Sequence, residues 1–539
     1  MTRVLAPIRR GLPAAVLALG LAGSAPALAQ PPGASAAELL AQVKAATGGA
    51  RWDEVQALSA TGEKTSFGLS GPYHAAEDLE TGRFARGADY GLFRNAEGLD
   101  EAGRWRMDNS GVVHPLDSDE ARTVAVTDGY LAGRGYLFPE RAKATLQRLE
   151  PAAEDGRLYD RVLATPEGGR AVVLWIGRAD HRLARATMQL GSHPETLRYG
   201  DYRPAGGLVL PFEIATDNGD QLETGEARIA RYSPAPGAPP ELRRPPPGPP
   251  DFGLRAGRDV AYAPFRLDSM SGFPLVEARI NGQGPLLFIL DTGGHDILTP
   301  AAAKALGLTL RGAGFSLGAG EGSTPTRYTK VAKVALGEAE MRDQPFVVLQ
   351  LDLGRAAAPG GGMAPISGII GLELFERFTV TLDFAAGRLE LRRPAAEARP
   401  AGAPIRFTSD MPLALASLDG RSGWFGLDTG NNTDVILFKA WVEARGLPAW
   451  FEVSVDTTGA GVGGALSFRK GRAGVLALAG REVDGLPVLL AGDNLGGLSS
   501  KAEAGNIGES VFARFRVTFD YAHERVSLDP PGDVAAAGR

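Results

Sequence analysis

Phe288-Ile289-Leu290-Asp291-Thr292-Gly293 is answered later in the chain by Phe425-Gly426-Leu427-Asp428-Thr429-Gly430, 137 positions on. The same offset relates Ile370-Gly371-Leu372-Glu373-Leu374-Phe375 to Ile507-Gly508-Glu509-Ser510-Val511-Phe512, and Thr381-Leu382-Asp383-Phe384 to Thr518-Phe519-Asp520-Tyr521. Motifs that recur in order at one spacing mark an internal duplication. A duplicated unit can fold as two similar lobes about a pseudo-twofold axis. An Asn281-Gly282 turn, or its counterpart Asp419-Gly420, precedes each apolar run, so each Asp is expected at the end of a buried strand fed by a hairpin. The Gly that follows allows a sharp turn presenting the carboxylate. One carboxylate beside an apolar strand is costly to bury alone. Two that meet on the axis can share a proton; one then takes a proton from water while the other polarises a carbonyl.

The order apolar-apolar-Asp-Thr-Gly, a Gly-rich hairpin, then Ile-Gly-x-x-x-Phe resembles the retropepsin and pepsin aspartic proteases, over residues 258–395 and again 400–530. The resemblance implies a mostly β protein with a bilobal β-barrel unit, lobe 1 at 258–398 and lobe 2 at 399–532. It carries the catalytic dyad to Asp291 and Asp428, and the loop-bracing roles to Thr292, Gly293, Thr429 and Gly430. Ile370-Gly371 and Ile507-Gly508 would pack behind the two Asp loops. The glycine-rich runs 312–320 and 459–464 would be flap hairpins, with Gly318, Gly320, Gly461 and Gly463 closing on substrate. Because one chain carries both halves, the expectation is a monomeric aspartic endopeptidase acting on peptide or protein, with no metal and no cofactor. A catalytically inactive peptide- or lipoprotein-binding protein on the same fold is the alternative, using strand addition under a flap. Intact Asp-Thr-Gly in both copies favours the enzyme.

The copies are not equivalent. Gly294 and Asn431 stand where the family commonly has Ser, Thr or Ala, so a hydroxyl near each carboxylate is missing. Asn506 occupies the position that Ile369 holds in the first copy, and Asn432-Thr433-Asp434 is one residue longer than His295-Asp296. His295 is expected as a solvated loop residue. Two decoys fail on context. Gly459 to Gly464 fits a dinucleotide pattern, yet Leu466-Ser467-Phe468-Arg469 reads as a strand and not the required helix. Gly314 to Gly318 fits a nucleophile elbow, but more glycine follows instead of a helix.

Composition bounds the rest. The 539 residues predict three or four domains. A net charge of −6 and no basic tract give no footprint for nucleic acid. Zero cysteines exclude disulfides, thiolate metal sites and thiol nucleophiles. The six histidines include no i, i+4 pair of the helical zinc type. At the N-terminus, Arg3, Arg9 and Arg10 precede the apolar Leu12 to Ala22 and a small-x-small Ala27-Leu28-Ala29, which reads as a signal peptide over 1–29. Export to the periplasm or beyond is the expectation, with no integral membrane segment after cleavage.

Residues 30–232 read as an α+β domain: a helix capped by Ser35 and Glu38, then short strands such as Ala171 to Ile176 and Leu208 to Ile214 in an antiparallel sheet. Tyr199 to Arg203 followed by Gly206 to Phe212 weakly resembles the periplasmic lipoprotein-carrier superfamily, which implies a curved sheet over a hydrophobic groove. The proline-dense stretch 233–257 is expected to be a semi-rigid spacer.

Overall fold

The computed structural model describes residues 34–190, 193–217, 225–237, 239, 244–245, 251–316, 318–320, 322–358, 360–396, 402–408, 411–446, 455–492, 496–500 and 502–531. The stretch 1–29, read as a signal peptide, and residues 238, 240–243 and 246–250 of the proline-rich stretch lie outside these residues. The fold is mostly β, as the sequence implied.

The first helix, Ala36–Thr47, starts where Ser35 and Glu38 form a reciprocal capping box and ends at Gly48, whose φ of 145° few other residues adopt. It buries Leu39, Leu40 and Val43 against a thirteen-stranded antiparallel sheet. The sheet is laid down in two passes. Strands from Ala57–Ser66 to Val113–Pro115 meander to one edge, and the helix Asp119–Ala132 crosses over. Strands from Ala144–Glu154 then return, until Gly225–Ala235 pairs with Ala57–Ser66. Ser233 and Pro234 are the partners of Ser59 and Leu58 in that last pairing.

Phe252–Leu254 pairs with Ala339–Met341 and opens the second assembly. Here one continuous apolar core runs from Ala261 to Leu528 through both copies of the duplicated motif. The Asn281-Gly282 and Asp419-Gly420 turns both hold positive φ at their two central residues, the hairpin chemistry the sequence announced. Each turn feeds a strand that ends just before an Asp-Thr-Gly. Gln283–Leu290 lies parallel to Met363–Ile370, and Arg421–Leu427 lies parallel to Gly505–Ile507.

The copies meet in a shared antiparallel sheet. Its middle pair is Thr379–Asp383 against Arg516–Asp520, flanked by Arg388–Arg392 and Arg525–Asp529, with Val260 to Pro264 and Ala403 to Pro404 outermost. Thr381 and Thr518 face each other at its centre with their hydroxyls 2.9 Å apart.

Arg377 ties three chain regions together. It is 3% exposed, and its guanidinium donates through Nε and Nη2 to both oxygens of Asp251, at 2.8 and 2.7 Å. Nη2 also donates to the Ser110 carbonyl of the thirteen-stranded sheet, and Nη1 to the Glu373 carbonyl. Removing a bidentate cation leaves several acceptors unpaired. Arg377→Leu is expected to lower the unfolding free energy by roughly 3 kcal/mol. The denaturant midpoint reads this, and an unchanged midpoint would show that the fork stabilises nothing.

Candidate functional site

The carboxylates of Asp291 and Asp428 are brought together from positions 137 apart by their neighbours. Each Asp backbone N–H donates to the first Ile of the partner segment, Asp291 to Ile370 and Asp428 to Ile507, both at 3.0 Å. Thr292 and Thr429, fully buried, then bond across the copies. The Thr292 N–H donates to the Thr429 hydroxyl at 3.0 Å, and the Thr429 N–H to the Thr292 hydroxyl at 2.9 Å. Each hydroxyl in turn donates to the opposite strand, Thr292 to the Leu427 carbonyl and Thr429 to the Leu290 carbonyl.

The glycines of both motifs are set by close approach. A Cβ on Gly430 would lie 2.4 Å from Asp291 Oδ2, and one on Gly371 would lie 2.0 Å from the Gly294 carbonyl oxygen. The matching Gly508 would meet the Thr433 carbonyl oxygen at 2.1 Å. The sequence motif Ile-Gly therefore encodes contact between a helix entry and the back of an Asp loop.

Both carboxylates keep part of their surface open, yet burial raises the pKa of each. At Asp428, burial and then the charge of Asp291 push it up to about 7. Opposing this, Asp291 accepts from the N–H of Gly293 at 2.8 Å and from that of Gly430. Asp428 accepts from the N–H groups of Asn431 and Gly430, and from Asn506 Nδ2 at 3.1 Å. Two coupled carboxylates of this kind hold one proton between them over the range that separates their two titrations.

The departures noted in the sequence acquire meanings. Asn431 turns its side-chain oxygen to Thr433, away from Asp428, and contributes only its backbone N–H to the carboxylate. At Gly294 a Cβ would stand 3.0 Å from Asp291 Oδ2, so glycine leaves room beside the acid. Asn506, where the first copy has Ile369, supplies a donor that only Asp428 receives. Tyr521, where the first copy has Phe384, is buried and donates to the Thr292 carbonyl at 3.2 Å. Its phenol is raised well above the ordinary range by burial and by the nearby acids, Asp291 first among them. Asn506 was already visible as a departure between the copies, whereas Tyr521 was the missed contributor, and its signal was a polar group appearing in one copy of a repeated motif.

His295 corrects an expectation. It is no solvated loop residue: its side chain is 13% exposed, and Nδ1 lies 2.8 Å from Glu373 Oε1. Glu373 Oε2 accepts the Asp296 N–H, while Asp296 accepts the Gly371 N–H, so one carboxylate orients both residues after the first Asp loop.

The glycine-rich runs form hairpins, Arg311–Ser316 with Thr324–Leu336 and Asp456–Gly461 with Gly464–Arg472. Their tips bond to each other: Gly320 N–H to the Val462 carbonyl at 2.9 Å and Gly322 N–H to the Gly463 carbonyl at 2.8 Å. Gly318 accepts from the Gly497 N–H, and Gly461 lies against Ala319. The base of the first hairpin is held from the other side, where Ala313 N–H donates to the Phe67 carbonyl at 2.7 Å.

A hollow of about 110 Å³ lies in the thirteen-stranded sheet. The resemblance implied a hydrophobic groove, but ion pairs line it beside Phe84 and Leu131. Arg86 bonds Glu97 at 2.6 Å and Arg134 bonds Glu77 at 2.7 Å. Burial raises the Glu97 carboxyl, but Arg86 and then Arg104 more than offset this, and it sits at about 2. His295 reaches the same hollow.

Residues 276–374 match the family model of aspartyl proteases. Among solved structures, a retropepsin-like aspartic protease from Rickettsia conorii is similar at 22% identity, covering 26% of this chain and 92% of its own, with a TM-score of 0.18. For the N-terminal region, a putative outer membrane lipoprotein-sorting protein domain from Vibrio parahaemolyticus is similar at 13% identity, covering 38% of this chain and 94% of its own, with a TM-score of 0.27. A LolA superfamily protein from Nitrosomonas europaea gives 15%, 37%, 92% and 0.26 for the same quantities. No curated protein matches the chain. Among the described residues no helix is long and apolar enough to cross a membrane.

Asn506 donates to the charged form of Asp428, so it lowers that group's pKa. In Asn506→Leu the titration midpoint of Asp428, followed by carboxyl carbon NMR, is expected to move upward from about 7. A downward or null movement would show that the amide does not act on this acid.

Proposed function

We propose that the chain is an aspartic endopeptidase in which Asp291 and Asp428 activate a water molecule against a peptide carbonyl. The observation that carries this reading is the dyad itself: two partly open carboxylates, coupled, desolvated, and braced by reciprocal threonine bonds. The match of residues 276–374 to the aspartyl protease family supports it.

In the working state the dyad carries one proton. The charged carboxylate takes a proton from water as the oxygen attacks the scissile carbonyl, and the protonated one donates to the developing oxyanion. Collapse of the tetrahedral intermediate breaks the C–N bond, the amine leaves with a proton from the dyad, and no covalent enzyme intermediate forms. An extended peptide would lie beneath the joined hairpin tips, which must part to admit it. Export, and a single chain as the working unit, belong to the same proposal.

Loss of that proton ends activity, so the alkaline limb of kcat/KM is expected near pH 7, the value at Asp428. Activity should persist below that limb until the remaining carboxylate protonates. Asp291→Asn and Asp428→Asn should each lower cleavage of a mixed peptide library by at least about 10²–10⁴-fold with the melting profile retained. A statine-type transition-state analogue should bind the unaltered protein. Binding without cleavage at any pH would support the peptide-binding alternative, and cleavage retained in both variants would sink the dyad.

A further inference from the structure

We propose that Asp108, His114 and Glu376 form a binding site for one divalent transition-metal cation, at the seam between the thirteen-stranded sheet and the segment that follows Ile370-Gly371. Asp108 Oδ2, His114 Nε2 and Glu376 Oε1 all lie within 4.8 Å of one another. Nε2 is 3.5 Å from Asp108 Oδ2 and is hydrogen-bonded to Glu376 Oε1. The side chains are 2% exposed at Asp108, 12% at His114 and 0% at Glu376.

The outer contacts aim the donors inward. Asp108 Oδ1 accepts from the Ser110 N–H at 2.9 Å, the Val112 N–H at 3.1 Å and the Ser110 hydroxyl at 2.8 Å. That oxygen is saturated, while Oδ2, buried and facing the imidazole, has no hydrogen-bond partner. A lone buried carboxylate oxygen beside a histidine nitrogen and a second carboxylate is what a metal ligand looks like without its ion. Ser110 Oγ also lies 3.0 Å from Glu376 Oε2, so one hydroxyl orients both acids.

Arg377 gives its fork to Asp251, and its Nη1 lies 3.5 Å from Glu376 Oε2, so Glu376 Oε1 and Asp108 Oδ2 are the oxygens left facing the imidazole. Two carboxylate oxygens and one imidazole nitrogen suit Zn²⁺ or Mn²⁺, and they are too few oxygens for Ca²⁺. Binding replaces the proton shared by His114 and Glu376, which goes to solvent. Asp108 also lines the 110 Å³ hollow, which offers a route for the ion and room for its water ligands. In a chain without cysteines, such an ion would staple the two parts together beside the Arg377 contact to Ser110.

Calorimetric titration of the chelator-treated mature chain with Zn²⁺ and, separately, Mn²⁺ tests this. One equivalent should bind and raise the melting temperature. Asp108→Asn and His114→Ala should each abolish that binding, while Ser110→Ala, which alters only the outer contacts, should weaken it about 10–100-fold. Asp291→Asn should bind the ion unchanged, which separates this site from the proposed dyad. Failure of the unaltered chain to bind either cation, or undiminished binding in both ligand variants, would overturn the proposal. Should those variants not fold, X-ray absorption of the Zn²⁺-loaded chain decides: one imidazole nitrogen among oxygens supports the site, and no imidazole refutes it.

Discussion

Two acids with raised pKa values must be held side by side, and the reciprocal bonds of Thr292 and Thr429 do the holding. Each threonine satisfies the other's backbone N–H and then reaches the carbonyl of the opposite strand, so four buried polar groups are paired across the seam. Loss of one hydroxyl would strand a donor in a dry interior, where unpaired groups cost about 1–3 kcal/mol. The Ile-Gly segments, the shared central sheet and the single core through both copies all brace this one junction.

The two copies give the same backbone and different electrostatics. Backbone N–H groups reach both acids, but only Asp428 has a side-chain amide, from Asn506, and only the second copy contributes a phenol, from Tyr521. A symmetric dyad would share its proton evenly. Here the environments differ by named groups, so the charge distribution of the pair is set by departures from the repeat and not by the repeat.

Much of this was legible in the sequence because local chemistry speaks through spacing. The 137-residue offset located both Asp loops, Asn281-Gly282 and Asp419-Gly420 announced their hairpins, and Ser35 with Glu38 announced the first helix. What was not legible depends on distant residues. Nothing near His295 in sequence reveals Glu373 as its partner, 78 positions on. Asp108 and His114 show no metal-ligand pattern, because Glu376, the third member, lies on a different element. The ionic lining of the hollow escaped for the same reason: Glu77 and Arg134 stand 57 positions apart, and only the folded sheet brings them together.

The hairpin tips meet most closely at their glycines. A Cβ on Gly318 would lie 2.4 Å from Val462, one on Gly320 2.4 Å from Gly463, and one on Gly463 2.5 Å from the Gly322 carbonyl oxygen. None of these three positions has room for a side chain while the other tip is present. A side chain added at one of these glycines must therefore displace the opposite hairpin, so the two tips are sterically one closure and not two independent loops.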